Sequence, residues 1–428
     1  MPNRSYHTAV NVLVFLLPVT AVWIRHAASA TLILLALLGV HAWYAREQKL
    51  TFSWPEKAVM ISFAAILGMG LLSVPLHWIS PDNFQSDFQY GHEIKLLLFI
   101  PIYYLFVHTK LKAETFWYSL CAGAIFAGVW SLISYYMLGV ERIEGAYHHI
   151  VFGDACMAMG FLSLAGIQFF ERKHKLLVLI PIAAVLMGLT ATLLAGVRGA
   201  LIAGPLLLLV FLFQLGTHPR AWLLRTIIIT VLLIGGGTAY TLTGSSLTER
   251  MQAAYQTVNN ALSGQKISIM DSADPSTAAR LRMWTEAVDI IREHPWIGVG
   301  DDGFEDIIDQ KAQTDPTLRP ITRYGTPHNM YLELMTIHGI PGLPVMLALF
   351  LAPLTAFLLW LRRDKSVRDY AYAGIMLVLA FMQFALTEAL MEKSIPIAIY
   401  GVYTAAAMAL CRNTARSPAS AGEGKMNT

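Results

Sequence analysis

The chain has 428 residues, of which 56% are hydrophobic and only 14% are charged. This composition excludes an ordinary soluble domain, in which about a quarter of the residues carry charge. The net charge of +3 gives no indication of nucleic-acid binding, and the three cysteines lack metal-ligand spacing.

Twelve apolar stretches approach the length of about 20 residues that an α-helix needs to cross a membrane. They cover residues 9–24, 28–45, 57–76, 93–108, 115–138, 150–169, 174–194, 199–216, 222–242, 341–361, 369–390 and 394–412. The first stretch resembles a signal peptide, but the small residues after it run directly into the second stretch, so we predict a helix there. Because unpaired backbone polar groups are unfavourable in lipid, we predict an all-α, polytopic membrane protein with about 12 transmembrane helices.

Lysine and arginine residues are distributed unequally between the predicted loops. The loops after even-numbered stretches, together with the two termini, contain 18 of these residues. The short loops on the other side contain four, namely Arg25, Arg142, Arg198 and Lys393. Because basic loops remain in the cytoplasm, both termini are predicted to be cytoplasmic and the long polar segment to be external.

This topology divides the chain into four parts. Residues 1–242 are predicted to form transmembrane helices 1–9, residues 243–340 a helical loop on the periplasmic side, and residues 341–412 the last three helices. The remaining residues, 413–428, are rich in serine, alanine and glycine and are predicted to form a disordered cytoplasmic tail.

Two amphipathic helices are predicted in the external loop. Apolar residues recur at helical spacing over 248–262 and again over 278–293. Arg280 and Trp284 are four residues apart and therefore share one face of the second helix. The glycine-rich turn at 298–300 lacks the strand–turn–helix context of a nucleotide site, so we predict none there.

Two arginines on the predicted outer side are candidates for function. Arg198 lies between small residues in the segment Gly196-Val-Arg-Gly-Ala200, where a ligand can approach closely. Arg142 precedes Tyr147-His148-His149. The alternative for each is a structural role, in which the side chain extends from a helix end to the lipid headgroups.

A histidine stands at the start of the last external helix. Thr326-Pro-His-Asn329 precedes an apolar helix that is predicted over Met330 to His338. A histidine in this position can accept a proton from a hydroxyl group near neutral pH, and His328 can alternatively be a helix cap or a surface residue. Glu333 either orients His328 or faces water. His338, near the other end of the helix, is predicted to be structural.

Three acidic residues lie within the apolar stretches or at their ends. They are Asp154, Glu388 and Glu392. Charged side chains in a membrane need a polar partner, and the sequence alone assigns no partner or role to these three.

Several of these residues form motifs of a known family. His328-Asn329, nine further residues and Gly339-x-x-Gly342 resemble the H-[NSQ]-x9-G-x-x-[GTY] signature of bacterial O-antigen ligases. Arg280-Leu-Arg-Met-Trp284 and His294-Pro-Trp-Ile-Gly-Val-Gly300 resemble the R-x-x-x-W and HPxxGxG elements of the wider ligase and polymerase family. The number of apolar stretches and the long external loop also agree with that family.

The resemblance implies a glycosyltransferase of the GT-C type in the bacterial inner membrane. Such an enzyme transfers a preassembled glycan from undecaprenyl pyrophosphate to the lipid A-core oligosaccharide on the periplasmic face. The resemblance implies that the enzyme lies among membrane lipids. It also implies that the reaction requires no nucleotide, no metal and no other cofactor.

The resemblance also implies roles for individual residues. His328 is the expected catalytic base, and Arg280, Arg198 and Arg142 are expected to bind the donor pyrophosphate. Residues expected to support them are Arg282, Asn329, Trp284, Glu333 and His149. Arginine suits this task because its planar guanidinium group can donate two parallel hydrogen bonds to phosphate oxygens. The group also stays charged in a site of low dielectric constant. We predict direct displacement at the anomeric carbon with inversion of configuration.

Three other functions remain open at this stage. An O-antigen polymerase uses the same donor with a second lipid-linked glycan as acceptor, and a protein O-oligosaccharyltransferase uses a protein acceptor. A lipid or sugar transporter is the alternative outside the enzyme class. Transporters usually have polar residues at mid-membrane and internally repeated halves, and the sequence has neither feature.

Overall fold

The computed structural model describes residues 4–45, 50–79, 91–216, 225–226, 229–230, 246–263, 269–270 and 272–415. Within these ranges the regular elements are helical and no strand occurs, so the all-α prediction is confirmed for this part of the chain. The helices before the external loop are α1 (Arg4–Ala21), α2 (Ala27–Tyr44), α3 (Trp54–Ile79), α4 (Gly91–Leu97), α5 (Phe99–Thr109), α6 (Ala113–Tyr136), α7 (His149–Ala165), α8 (Ile167–Lys173), α9 (Leu179–Leu194) and α10 (Arg198–Leu215).

The external loop and the C-terminal part contain seven further described helices. They are α11 (Ser246–Leu262), α12 (Pro275–Glu293), α13 (Gly303–Thr314), α14 (Met330–His338), α15 (Gly342–Arg363), α16 (Arg368–Phe384) and α17 (Ser394–Ala415). Short 3-10 helices occur at Lys175–Val178, Pro316–Ile321, Lys365–Val367 and Leu390–Glu392. The helix predicted over Met330 to His338 has these bounds, and the one predicted over 278–293 begins three residues earlier.

Seven helices of the described part are long and apolar enough to cross a membrane. They are α2, α3, α6, α10, α15, α17 and the combined helix Lys175–Leu194. The polytopic prediction is therefore confirmed, whereas the number of twelve stays a prediction. The predicted stretch 222–242 lies outside the described residues except for four of its positions, and the stretch 93–108 is divided between α4 and α5.

The predicted stretch 150–169 is a bent pair of helices rather than one straight helix. The axes of α7 and α8 differ by 49° at the break between them. Gly166 lies at this break, and a Cβ atom there would be 2.6 Å from the Trp117 ring. The ring therefore packs against the bare glycine backbone, and α7 and α8 together form an eighth candidate span.

The centre of the membrane part is formed by helices with small residues at their contacts. Gly160 of α7 and Gly188 of α9 face each other. A Cβ atom added to Gly188 would lie only 3.1 Å from the Cα atom of Gly160. Such pairs let helix backbones approach closely. Helix α17 lies at the centre, and 94% of the residues in its apolar stretch are buried inside the protein. All three cysteines are buried, and none of them forms a disulfide.

The external loop has a hydrophobic core of its own. Apolar side chains of α12, α13 and the following 3-10 helix form this core, including Met283, Ile290, Phe304, Ile308 and Ile321. An ion pair of Lys311 with Glu286 joins α13 to α12 on the surface of this core, and Arg282 pairs with the same glutamate within α12. Because the loop buries its own apolar residues, it can hold α12 in a fixed position beside the membrane helices.

The glycine motifs at 294–300 and 339–342 pack against each other. The backbone N–H of Val299 donates to Thr336 O at 2.8 Å, and that of Ile340 donates to Pro295 O at 2.7 Å. Gly339 has φ +72°, and a Cβ atom there would lie 2.6 Å from Pro295 O. These glycines therefore allow two backbone segments to touch and fix the end of α14 against the end of α12.

Gly339→Ala is expected to destabilise the protein. The left-handed backbone alone costs a residue with a side chain about 1–2 kcal/mol, and the clash with Pro295 adds to this cost. Gly68→Ala in α3 is the matched control, because a Cβ atom at Gly68 meets nothing within 4 Å. Melting curves of the purified proteins in detergent measure both effects. Equal melting temperatures for the two variants would contradict this interpretation of the motif.

Candidate active site

The predicted site residues lie around one cavity of about 520 Å³. It is bounded by the first turns of α7 and α10, by α11 and α12, and by the segment that precedes α14. Six of the predicted residues line it: Arg142, His149, Arg198, Arg280, Trp284 and His328. Three others, Arg282, Asn329 and Glu333, are not among its lining residues.

His328 is held in an unusual backbone conformation immediately before α14. Its φ is +51°, a left-handed value that is unfavourable for residues other than glycine. Two contacts after it fix this turn: Asn329 accepts hydrogen bonds from the N–H groups of Tyr331 and Leu332, and Met330 N donates to Ala385 O at 2.8 Å. The role of Asn329 in the described geometry is therefore that of a helix cap.

Glu388 pairs with the histidine. His328 Nδ1 lies 3.1 Å from Glu388 Oε2, and the glutamate side chain is 2% exposed. Burial acts to raise the pKa of the Glu388 carboxyl, but the hydrogen bond and charge of His328 outweigh it and lower this pKa below its usual value. A carboxylate on Nδ1 favours the tautomer that carries its proton there, which leaves Nε2 as the proton-accepting nitrogen.

Glu333 has neither of the two positions that the sequence suggested. It is 1% exposed, so it does not face water, and it interacts with Glu392 rather than with His328. Burial, followed by the charge of Glu392, raises the pKa of Glu333 well above its usual value, which favours the protonated carboxyl. In the structure the carboxylate that pairs with His328 is therefore Glu388 and not Glu333.

Trp284 connects α12 to the turn that carries the histidine. Its Nε1–H donates to Pro327 O at 2.9 Å, one residue before His328. Arg280 lies one turn earlier on α12 and faces the same cavity, as the spacing of four residues predicted. One helix face therefore positions both a cation and the backbone of the histidine turn.

Arg280 is half-buried in the cavity with part of its hydrogen-bonding capacity unused. Its Nη1 donates to Ser276 Oγ at 2.9 Å, and its buried Nε has no hydrogen-bond partner among the described residues. Burial lowers the pKa of the Arg280 guanidinium, while the charge of Glu388 raises it. Since arginine stays protonated in proteins, Arg280 brings a positive charge that an anionic ligand can neutralise.

Arg198 has a carboxylate partner inside the protein. Its two Nη atoms lie 2.7 and 3.2 Å from the oxygens of Asp274, the residue that precedes α12. Burial tends to raise the pKa of Asp274, but the hydrogen bonds from Arg198 and Thr277 lower it overall. Arg198 therefore fixes the start of α12 as well as lining the cavity.

Arg142 and His149 contribute from the segment at the start of α7. Arg142 Nε donates to Ala195 O at 3.2 Å. The rings of His148 and His149 are 4.0 Å apart between centroids, and His149 Nδ1 is buried without a hydrogen-bond partner in the described structure. Both histidines line the cavity beside the arginines, and the guanidinium groups of the arginines give this surface its positive charge.

Arg282 and His338 have structural contacts, whereas Asp154 has no polar partner among the described residues. Arg282 makes ion pairs with Glu286 at 3.1 Å and with Asp315 at 3.3 Å, both away from the cavity. His338 Nδ1 lies 2.7 Å from Ser73 Oγ in the interior, so the prediction that this histidine is structural is confirmed. Asp154 is buried in α7, and neither of its carboxylate oxygens has a partner in the described part of the chain.

Comparison with known proteins identifies the middle of the chain. Residues 182–347 match the model of the family described as O-antigen ligase. Over this segment the chain is similar to the O-antigen ligase family. An uncharacterized protein of Haemophilus influenzae is 25% identical over 350 residues, which cover 82% of this chain and 84% of the relative.

The segment matched to the O-antigen ligase family contains only part of the site. Arg198, Arg280 and His328 lie within it, whereas Arg142 and Glu388 lie outside it. The fold brings Arg142 to the cavity from the segment before α7. It brings Glu388, which is not a lining residue, to the histidine from the segment after α16. Glu388 pairs with the histidine across 60 residues of sequence, so the candidate site also includes parts of the chain that flank the matched segment.

Several lining residues were not among the predicted site residues, and four of them have side chains that can bind a ligand or position one. They are His148, Arg323, Tyr324 and Thr387. Arg323 and Tyr324 lie just before the histidine motif in the sequence, so both could have been predicted to lie near His328. No comparable signal existed for Thr387, which reaches the cavity through its contact with Gly199 at the start of α10.

The chemistry of the described side chains favours anion binding. Within the described ranges, no group of three or more His, Cys, Asp or Glu residues has a geometry that could hold a metal ion. The expectation of a metal-independent and nucleotide-independent reaction stays a prediction.

Proposed function

We propose that this protein is an O-antigen ligase of the bacterial inner membrane. It transfers a preassembled glycan from undecaprenyl pyrophosphate to the lipid A-core oligosaccharide on the periplasmic face. The observation that carries this proposal is a histidine–glutamate pair in one cavity with arginines from separate parts of the chain. This set combines a base for an acceptor hydroxyl with cations for a diphosphate leaving group.

The proposed location follows from topology. The basic residues of the short loops favour a cytoplasmic position for both termini, which puts the first turns of α7 and α10 on the periplasmic side. The cavity is lined by these two turns. We assign the architecture to the GT-C type because polytopic helices with an external catalytic loop are its general plan.

The donor half of the site consists of Arg142, Arg198 and Arg280. Together they would bind the pyrophosphate of the lipid-linked glycan through charge-assisted hydrogen bonds. Arg280 is the best placed of the three because its half-buried guanidinium has unused donor capacity and no bidentate carboxylate partner in the described structure. No cofactor is needed in this scheme, since the donor already carries its leaving group.

The acceptor half of the site consists of His328 and Glu388. The acceptor hydroxyl oxygen forms a bond to the anomeric carbon while the bond from that carbon to the pyrophosphate oxygen breaks. The hydroxyl proton passes to His328 Nε2, and the leaving undecaprenyl pyrophosphate keeps the bonding electrons. Glu388 stabilises the imidazolium that forms. A single displacement of this kind inverts the anomeric configuration.

A pair of substitutions separates the two roles of Arg198. Arg198→Gln and Asp274→Asn both remove the same ion pair, so each is expected to cost about 1–3 kcal/mol of stability. Only Arg198→Gln also removes a proposed pyrophosphate ligand, and it is expected to weaken donor binding further. Melting temperatures and donor KM values of the two variants are measured in parallel. Equal donor KM values would limit Arg198 to its structural role.

Reconstitution tests the proposed function directly. Purified protein is mixed with lipid-linked glycan and isolated lipid A-core in detergent, with a chelator and without nucleotide. Glycan on lipid A-core is the expected product. Longer lipid-linked chains would instead identify a polymerase, and glycan on an added protein would identify a protein O-oligosaccharyltransferase. Movement of the donor across vesicle membranes without transfer would identify a transporter.

A further inference from the structure

A fourth arginine lines the cavity from a different element than the other three. Arg323 precedes Tyr324 on the segment that leads to His328, whereas Arg142, Arg198 and Arg280 belong to the segment before α7, to α10 and to α12. Its side chain is exposed at the rim of the cavity, while Arg198 and Arg280 are half-buried. The cavity therefore has a cation next to its histidine in addition to the cations proposed for the donor.

The contacts of Arg323 are confined to its neighbour. Its guanidinium lies over the Tyr324 ring at 4.8 Å from the centroid, and its Nη2 donates to the Tyr324 hydroxyl at 2.8 Å. Arg198 and Arg282, by comparison, each make ion pairs with carboxylates. No Asp or Glu of the described residues lies within ion-pair distance of Arg323. Stacking on the ring holds the planar fork in place while leaving other N–H donors for a ligand.

Tyr324 also contacts the proposed base. Its ring meets the His328 ring edge-on, with centroids 5.2 Å apart and an interplanar angle of 79°. Arg323, Tyr324 and His328 therefore form a continuous row of side chains. A ligand group that reaches His328 Nε2 passes close to this row.

The geometry of a single displacement decides which substrate this row meets. The attacking oxygen and the leaving oxygen lie on opposite sides of the anomeric carbon, so the acceptor is on the side of the base and the pyrophosphate is on the far side. A cation that adjoins the base is thus on the acceptor side. This step rests on the proposed function.

We propose that Arg323, positioned by Tyr324, binds an anionic group on the acceptor oligosaccharide and so contributes to acceptor specificity. The group is a phosphate ester or a sugar carboxylate within one or two sugar units of the accepting hydroxyl. Each of these groups has two oxygens that can accept parallel hydrogen bonds from one guanidinium group. Neutral acceptors would bind the site without this contact.

Steady-state kinetics of Arg323→Gln test this subsite. The acceptor KM is expected to rise about 10–100-fold, as for loss of a hydrogen bond to a charged group, while the donor KM stays unchanged. Arg323→Lys is expected to give an intermediate value because it keeps the charge without the planar fork. Arg292→Gln is the control, since Arg292 is an exposed arginine that pairs with Asp289 and does not line the cavity.

Modified acceptors identify the group that Arg323 binds. Lipid A-core is used untreated, after chemical dephosphorylation and after carboxyl reduction. On the acceptor that lacks the recognised anion, wild type and Arg323→Gln are expected to have the same KM. An equal penalty on all three acceptors, or a rise of the donor KM instead of the acceptor KM, would overturn the proposal. Absence of transfer by the wild-type protein to untreated acceptor would overturn the proposed function and this subsite with it.

Discussion

Replacement of His328 by glutamine is expected to lower kcat about 10²–10⁴-fold, which is the usual contribution of a general base. Glutamine keeps a polar side chain of similar reach but cannot accept the proton of the acceptor hydroxyl. The arginines that line the cavity are unchanged in this variant, so the affinity for the lipid-linked donor should stay close to that of wild type. Transfer rates at saturating donor, together with donor binding to the purified variant, measure the two quantities separately.

His338→Gln is the matched control for this variant. His338 belongs to the same short helix, but it hydrogen-bonds Ser73 in the interior instead of lining the cavity. Its loss should lower the melting temperature and leave the rate per folded molecule near that of wild type. If His328→Gln kept more than about a tenth of the wild-type rate while folded, well above the range for a lost base, His328 would not be the base.

The role of Glu388 is tested by the pH profile. Since His328 must be unprotonated to act as a base, the rate is expected to fall as the pH is lowered. The Glu388 carboxylate stabilises the imidazolium, and its own pKa is lowered by His328 despite its burial. In Glu388→Gln the imidazolium loses this counter-charge, so the acid limb should move to lower pH and kcat should fall. A profile that keeps its acid limb unchanged would mean that Glu388 does not act through His328.

The local features of this site could be predicted from the sequence. The positions of Arg280 and Trp284 on one helix face follow from their spacing of four residues, and α14 begins and ends where its pattern predicted. His328 was found because it precedes this helix directly. Each of these inferences depends only on residues that are close together in the chain.

Pairings between distant segments could not be predicted in this way. Glu388 is 60 residues from His328, and Asp274 is 76 residues from Arg198. The sequence singled out Glu388 because a buried carboxylate needs a partner, but nothing in a hydropathy pattern specifies which one. Glu333 was the nearer choice in sequence, but it is buried and interacts with Glu392 instead.

The transmembrane helix count has a similar physical limit. Hydropathy measures how apolar a stretch is, but it does not report a bend within that stretch. The break at Gly166 depends on the Trp117 ring of another helix, which fills the space where a side chain would lie. For this reason the number of spans needs tertiary information, whereas the polytopic class does not.

Arg280→Gln is expected to lower kcat/KM about 10²–10³-fold, which is typical for loss of one preorganised donor to a developing negative charge. Arg280→Lys should recover only part of this loss, because an ammonium group cannot bind two phosphate oxygens with a planar fork. Arg282→Gln is the matched control on the same helix: its side chain pairs with Glu286 and Asp315 outside the cavity, so its loss should affect stability rather than transfer.

The melting temperature gives an independent test of the role of Arg280. Burial lowers the pKa of Arg280, which means that the folded protein holds this charge in an unfavourable environment. Without a ligand, Arg280→Gln should therefore melt at the same temperature as wild type or higher, since functional sites are often maintained at the expense of stability. Added inorganic pyrophosphate should raise the melting temperature of wild type more than that of the variant. A variant that melts lower and responds to pyrophosphate like wild type would show that Arg280 is a structural residue.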